Sequence, residues 1–129
     1  MKAYISCPVF NSKERLNLMP EIEKLVREKG IDTFVFQTGG TPEEIFKRDH
    51  SQLKSSDLLI SDISEPSHGV GMEIGMSYCM NLKRILLLEK GKQVSRLTRG
   101  TPDTVFIEYE NLDDLKTKLS SALDKFTGK

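Results

Sequence analysis

The chain has 129 residues, with 19 Lys and Arg against 19 Asp and Glu, so its net charge is zero. That length suits one domain with one core, 1–129. The balanced charge supplies no net field to draw in nucleic acid or an anionic membrane, so neither is an expected partner.

The apolar pattern alternates strand and helix. Ala3 to Val9 reads as a short buried strand that Pro8 ends, and Ser12 as the cap of a helix carrying Leu16, Met19, Ile22, Leu25 and Val26 at helical spacing. Gly30 stops that helix and Ile31 to Phe36 reads as a strand. After the turn Gln37-Thr38-Gly39-Gly40, Thr41-Pro42-Glu43-Glu44 opens a second helix with proline in its first turn. Asp57 to Ile63 (DLLISDI) is the most apolar strand and the candidate for the sheet centre.

The loop SEPSHGVG follows, then a helix to about Met80 and a buried strand from Arg84 to Leu88. A polar segment, 89–103, precedes a strand at Val105 to Glu108. Asn111 caps a last helix with Leu112, Leu115, Leu119, Leu123 and Phe126. The order implies an α/β, single-domain, three-layer Rossmann-like or flavodoxin-like fold with a five-stranded, mostly parallel sheet. Ligands of such sheets bind beyond the carboxyl ends of the strands, which selects the loops after Ser6, Gln37, Ile63 and Leu88.

Cys7 and Cys79 make neither a metal spacing nor a disulfide framework. MKAYISCPVF lacks a signal-peptide h-region and cleavage site, and no apolar run reaches the ~18 residues of a membrane helix. A cytoplasmic setting with reduced thiols is the expectation. No metal and no cofactor is expected: His50, His68, Asp49 and Asp62 lack ligand spacing. Cys7 as a nucleophile would need a histidine partner and a lowered pKa, and a strand cysteine is more often inert.

Gly69, Gly71 and Gly75 superficially match a dinucleotide fingerprint, but they follow the third strand rather than the first, and no Gly-Lys-Ser/Thr makes a Walker loop. One reading is a tight turn with Gly75 admitting close helix packing and Glu73 favouring the first helical turn. Against it stands the crowding of Asp62, Ser64, Ser67, His68 and Glu73 at one strand end.

These residues carry a resemblance. Asp49, the strand Leu58 to Asp62, Pro66-Ser67, Gly69-Val70-Gly71 and Glu73-Ile74-Gly75 resemble the signature of the nucleoside 2-deoxyribosyltransferase superfamily. Within it the chain is most similar to the 2'-deoxynucleoside 5'-phosphate N-hydrolases. Tyr4 and Lys83-Arg84-Ile85-Leu86 extend the match, and Ser95 and Arg99-Gly100 do so more weakly.

The resemblance implies cleavage of a C1'–N bond through an oxocarbenium-like sugar, a step that needs a carboxylate nucleophile and an acid partner. It implies Glu73 as nucleophile, held ionised by helix-start amides and nearby hydroxyls, and Asp49 as the second carboxylate, assisting proton delivery to the base. Tyr4 would hydrogen-bond near the nucleophile. Ser67, Gly69, Gly71 and Asp62 would bind substrate, Gly71 leaving room for the sugar. Ser95 would contact a 5'-phosphate from the neighbouring subunit of a homodimer. The residues alone leave alternatives: Asp49 as a solvated helix residue beside Arg48, Tyr4 as core packing, Ser67 as a cap, and Met72, Met76 and Met80 as a core face or a dimer face, core first.

The first-strand loop departs from the family pattern. Cys7-Pro8-Val9-Phe10 stands where the phosphate hydrolases carry glycine, serine and arginine, which removes a charge-assisted phosphate contact. Phe10 would instead stack on or wall off a nucleobase, leaving Asn11, Ser12, Lys13 and Arg15 to compensate. Base exchange by a transferase is therefore the alternative to hydrolysis, and a nucleotide-binding sensor or receiver domain the non-catalytic one.

Overall fold

The computed structural model describes residues 1–9 and 13–128. Its elements are β1 (Lys2–Ser6), a 3-10 turn (Glu14–Leu18), α1 (Met19–Glu28), β2 (Asp32–Val35), α2 (Pro42–Lys54), β3 (Leu58–Asp62), α3 (His68–Cys79), β4 (Lys83–Glu89), α4 (Arg96–Arg99), β5 (Thr104–Tyr109) and α5 (Leu112–Thr127). The strands form one sheet in the order β2-β1-β3-β4-β5, and all four pairings are parallel rather than mostly so. β3 is the central strand and is buried along its whole length, as its unbroken apolar run predicts.

Because strand side chains alternate, the sheet has two distinct faces. Ile5, Leu58, Ile60, Ile85 and Leu87 pack with Ile22 and Val26 of α1 and Leu115, Leu119 and Leu123 of α5. Tyr4, Leu59, Leu86 and Leu88 pack with Leu53 of α2 and Val70 and Ile74 of α3. The reversal of strand order lies between β1 and β3, and its carboxyl end lies under α3.

Local boundaries differ from expectation for identifiable reasons. β1 stops at Ser6, before Pro8, which has no N–H to give the ladder. The first helix opens with the 3-10 turn, and Pro20 lies in the first turn of α1. The expected cap Ser12 lies outside the described residues, as do Phe10 and Asn11. α4 is a single turn inside the polar segment and is too short to show a period.

Two packing expectations are corrected. A Cβ at Gly75 would meet nothing within 4 Å, so no close helix contact within the chain requires this glycine. Met76 and Met80 pack against the α2–α3 core, but Met72 is 55 % exposed, so the methionine row does not form one core face.

Candidate active site

Ser67 caps α3 by accepting the Val70 N–H at 3.2 Å, which starts the helix at His68. Glu73 therefore sits in the second turn rather than the first. It faces the sheet and is only 8 % exposed.

Two hydroxyls from β1 hold its carboxylate. Tyr4 donates to Oε2 at 2.5 Å and Ser6 to Oε1 at 2.9 Å. Ser6 is itself 2.7 Å from Ser61 Oγ on β3, so the pair spans the strand-order reversal. Tyr4 is steadied by Phe34 of β2, with ring centroids 5.4 Å apart.

Burial pushes the Glu73 carboxyl up to about 7; the Tyr4 and Ser6 hydrogen bonds oppose the rise, and the negative Asp49 adds to it. Among the described residues, the groups that orient it are the two hydroxyls. No helix-start amide is bonded to the carboxylate among the described residues, and burial outweighs the donors.

Asp49 projects from α2 with its side chain 16 % exposed, not as a freely solvated helix residue. Its carboxyl is raised from the ordinary value by burial, against the lowering effect of Arg48 and of Tyr4. Asp49 and Glu73 both interact with the Tyr4 hydroxyl. That hydroxyl has one hydrogen, and Glu73 receives it. Burial thus favours the protonated form of Asp49, while Tyr4 and Arg48 favour the ionised one. Two carboxyls, each raised by burial, flank a single tyrosine.

Ser67 and Ser95 line a cleft of ≈ 380 Å³ with His68, Val70, Gly71 and Ile74. Successive helix residues turn by about 100°, so this cleft lies to one side of the Glu73 direction. Ser95 reaches it from the same chain, where it caps α4 by accepting the Thr98 N–H at 3.1 Å. A Cβ at Gly71 would meet nothing, whereas one at Gly69 would lie 3.9 Å from Ser67 Oγ.

Asp62 does not join these groups. It points to the α1–α5 face, is fully buried, and accepts from Tyr109 at 2.5 Å and from the Ser64 N–H at 2.8 Å. Its alternation with Ser61 along β3 sends it to the opposite side of the sheet, so its place as a substrate ligand is withdrawn. Arg15 does not compensate for the altered loop either. It is 4 % exposed, ion-paired with Glu89 and with Glu65, and 4.0 Å from Asp62. Burial near Asp62 and Glu73 pushes the Cys7 thiol up to about 12, which removes it as a neutral-pH nucleophile.

Ser6 and Ser61 were missed in the sequence. Their only signal is a small polar residue near the end of each of two otherwise apolar strands, which becomes informative once the two strands are known to pair. The Arg15–Asp62–Tyr109 network was missed because its members lie up to 94 positions apart.

A parallel sheet that holds an oriented, buried carboxylate over its strand-order reversal defines an α/β enzyme acting on a small molecule. No protein-family model matches the chain. It is 34 % identical over 82 residues to the 5-hydroxymethyl-dUMP N-hydrolase of Branchiostoma floridae, covering 61 % of this chain and 76 % of that one. It is 29 % identical over 137 residues to a Thermofilum pendens protein provisionally named 2'-deoxynucleoside 5'-phosphate N-hydrolase 1, covering 95 % of each. The solved CMP N-glycosidase of Clostridium botulinum superposes with a TM-score of 0.73 at 25 % identity, over 92 % of this chain and 98 % of that one. The chain belongs to the family of the 2'-deoxynucleoside 5'-phosphate N-hydrolases and is an N-glycosidase.

Proposed function

We propose that the protein hydrolyses the N-glycosidic bond of 2'-deoxynucleoside 5'-monophosphates, releasing the free base and 2-deoxyribose 5-phosphate. The observation that carries this is Glu73, buried and aimed by Tyr4 and Ser6, with a second carboxyl at the same tyrosine. In the first step a Glu73 oxygen bonds to C1', the C1'–N bond breaks, and its electron pair leaves with the base. The proton on Asp49 neutralises that base. In the second step water attacks C1' of the glycosyl-Glu73 ester, Asp49 takes a proton from it, and Glu73 is freed.

The 5'-phosphate is assigned to the Ser67–Gly69 end of α3, where hydroxyl and helix N-terminus both favour an anion. The first-strand loop supplies no arginine, and Phe10, outside the described residues, is assigned to the base.

The active unit is proposed to be a homodimer in which Ser95 also serves the neighbouring site. Its support is an apolar surface around α3 and α4: Leu97 is 89 % exposed and Tyr78 52 %, beside Gly71 and Gly75, whose missing side chains face open space. No helix among the described residues is long and apolar enough to cross a membrane.

Product analysis tests the reaction. Deoxynucleosides and their 5'-monophosphates are incubated with and without a free acceptor base. Free base released from monophosphates alone is the expected result. Base exchange on unphosphorylated deoxynucleosides would instead make the protein a transferase, and binding without turnover would make it a sensor.

A further inference from the structure

The turn between β2 and α2 is held from several directions. Arg48 donates from Nη2 to the Gln37 carbonyl at 2.6 Å and from Nη1 to the Gly39 carbonyl at 2.9 Å. Thr41 and Glu44 form a reciprocal capping box, each backbone N–H reaching the other's side chain at 3.2 Å. Gly40 has φ +110°, and a Cβ there would stand 3.3 Å from Glu44 Cβ, so only glycine suits the position. This turn follows the β2 carboxyl end, next to the carboxyl end of β1, where Val35 pairs with Ile5 and Phe34 with Tyr4.

The remaining nitrogen of the same guanidinium, Nε, lies 3.3 Å from Asp49 Oδ1. One planar fork thus joins two backbone carbonyls of the turn to the carboxyl beside Tyr4. A lysine ammonium has the charge but not the geometry to span all three. The Arg48 side chain is 26 % exposed, so its contacts are partly shielded from water.

We propose that Arg48 is a positioning residue that fixes the β2–α2 turn as a wall of the substrate site and, through the same guanidinium, sets the orientation and proton affinity of Asp49. This rests on the reading of Asp49 as the proton donor. The groups facing Asp49 are Arg48 on its own helix, Tyr4 from β1 and Glu73 from α3, and Glu44 also faces Arg48. Arg48 favours the ionised form of Asp49, so its loss moves Asp49 ionisation to higher pH. The clamp and the charge are separable, and that makes the role testable.

KM, kcat and their pH profiles are measured on deoxynucleoside 5'-monophosphates for the intact enzyme, Arg48→Gln, Arg48→Lys and Asp49→Asn. Arg48→Gln is expected to raise KM about tenfold and to move the pH optimum upward, because both clamp and charge are gone. Arg48→Lys is expected to restore the optimum while leaving KM raised. Unchanged KM and optimum in Arg48→Gln, or full recovery of both in Arg48→Lys, would overturn the proposal. If Arg48→Gln does not fold, Arg48→Lys still decides through the split between KM and pH optimum. Full activity in Asp49→Asn would instead sink the reading of Asp49 as proton donor, while the KM of the Arg48 variants continues to test the clamp.

Discussion

The Tyr4 hydroxyl donates to Glu73 Oε2 at 2.5 Å, joining the first strand to the third helix across 69 positions of chain. The bond aims the carboxylate and steadies its ionised form in a place where burial disfavours charge. A buried carboxyl that titrates near 7 is a costly feature for stability and a useful one for chemistry at neutral pH.

Glu73→Gln should abolish turnover, with kcat falling roughly a thousandfold or more, while binding of a deoxynucleoside monophosphate is largely kept. Steady-state kinetics together with calorimetric titration checks both halves. Turnover near the original rate would remove Glu73 as nucleophile.

The same substitution should stabilise the fold at high pH. The folded carboxyl is raised from 4.5 to about 7, so the folded state holds its proton more tightly than the unfolded chain. The corresponding stability is present below about pH 4.5 and is lost as pH rises through 7. Glutamine cannot ionise, so Glu73→Gln should match the parent near pH 4 and exceed it by about 2–3 kcal/mol at pH 8. Chemical denaturation of both proteins at the two pH values measures the difference.

Tyr4→Phe removes the donor and leaves the ring packed on Phe34. The Tyr4 bond lowers the Glu73 pKa, so its loss should raise that pKa further and move the rising limb of the kcat/KM profile to higher pH. A drop of roughly tenfold or more in kcat near neutrality should accompany the shift. An unchanged rate with an unmoved limb would mean that the tyrosine serves packing alone.

Asp62→Ala leaves the buried Tyr109 hydroxyl without its acceptor and removes the buried carboxylate 4.0 Å from Arg15, which keeps Glu65 and Glu89. Removing one member of a buried charged network costs about 3–5 kcal/mol, so this variant should lose stability far more than activity per folded molecule. Thermal unfolding combined with active-site-normalised rates separates the two, and a rate loss at full stability would return Asp62 to the site.

Gly75→Leu fills space that the chain itself leaves open and places a better helix former mid-helix. The monomer fold should be unharmed, whereas a partner packed on α3 would be displaced. Analytical ultracentrifugation should show dimers for the parent and monomers for the variant. Identical sedimentation of the two would remove this face as the interface.

The sequence by itself determined the succession of the five strands and the long helices between them, and the burial of β3. Alternation of apolar runs is a local property, and the signature from Asp49 to Gly75 lies in one continuous stretch. Tertiary structure decided which face each residue occupies. Ser61 and Asp62 are neighbours in the chain, yet the two-residue period of a strand sends one toward Glu73 and the other to Arg15 and Tyr109. It also selected Ser6 as a partner of Glu73 and Arg48 as the link between the β2–α2 turn and Asp49. Hydrogen bonds between distant segments depend on strand pairing and helix rotation, which no local pattern of residues encodes.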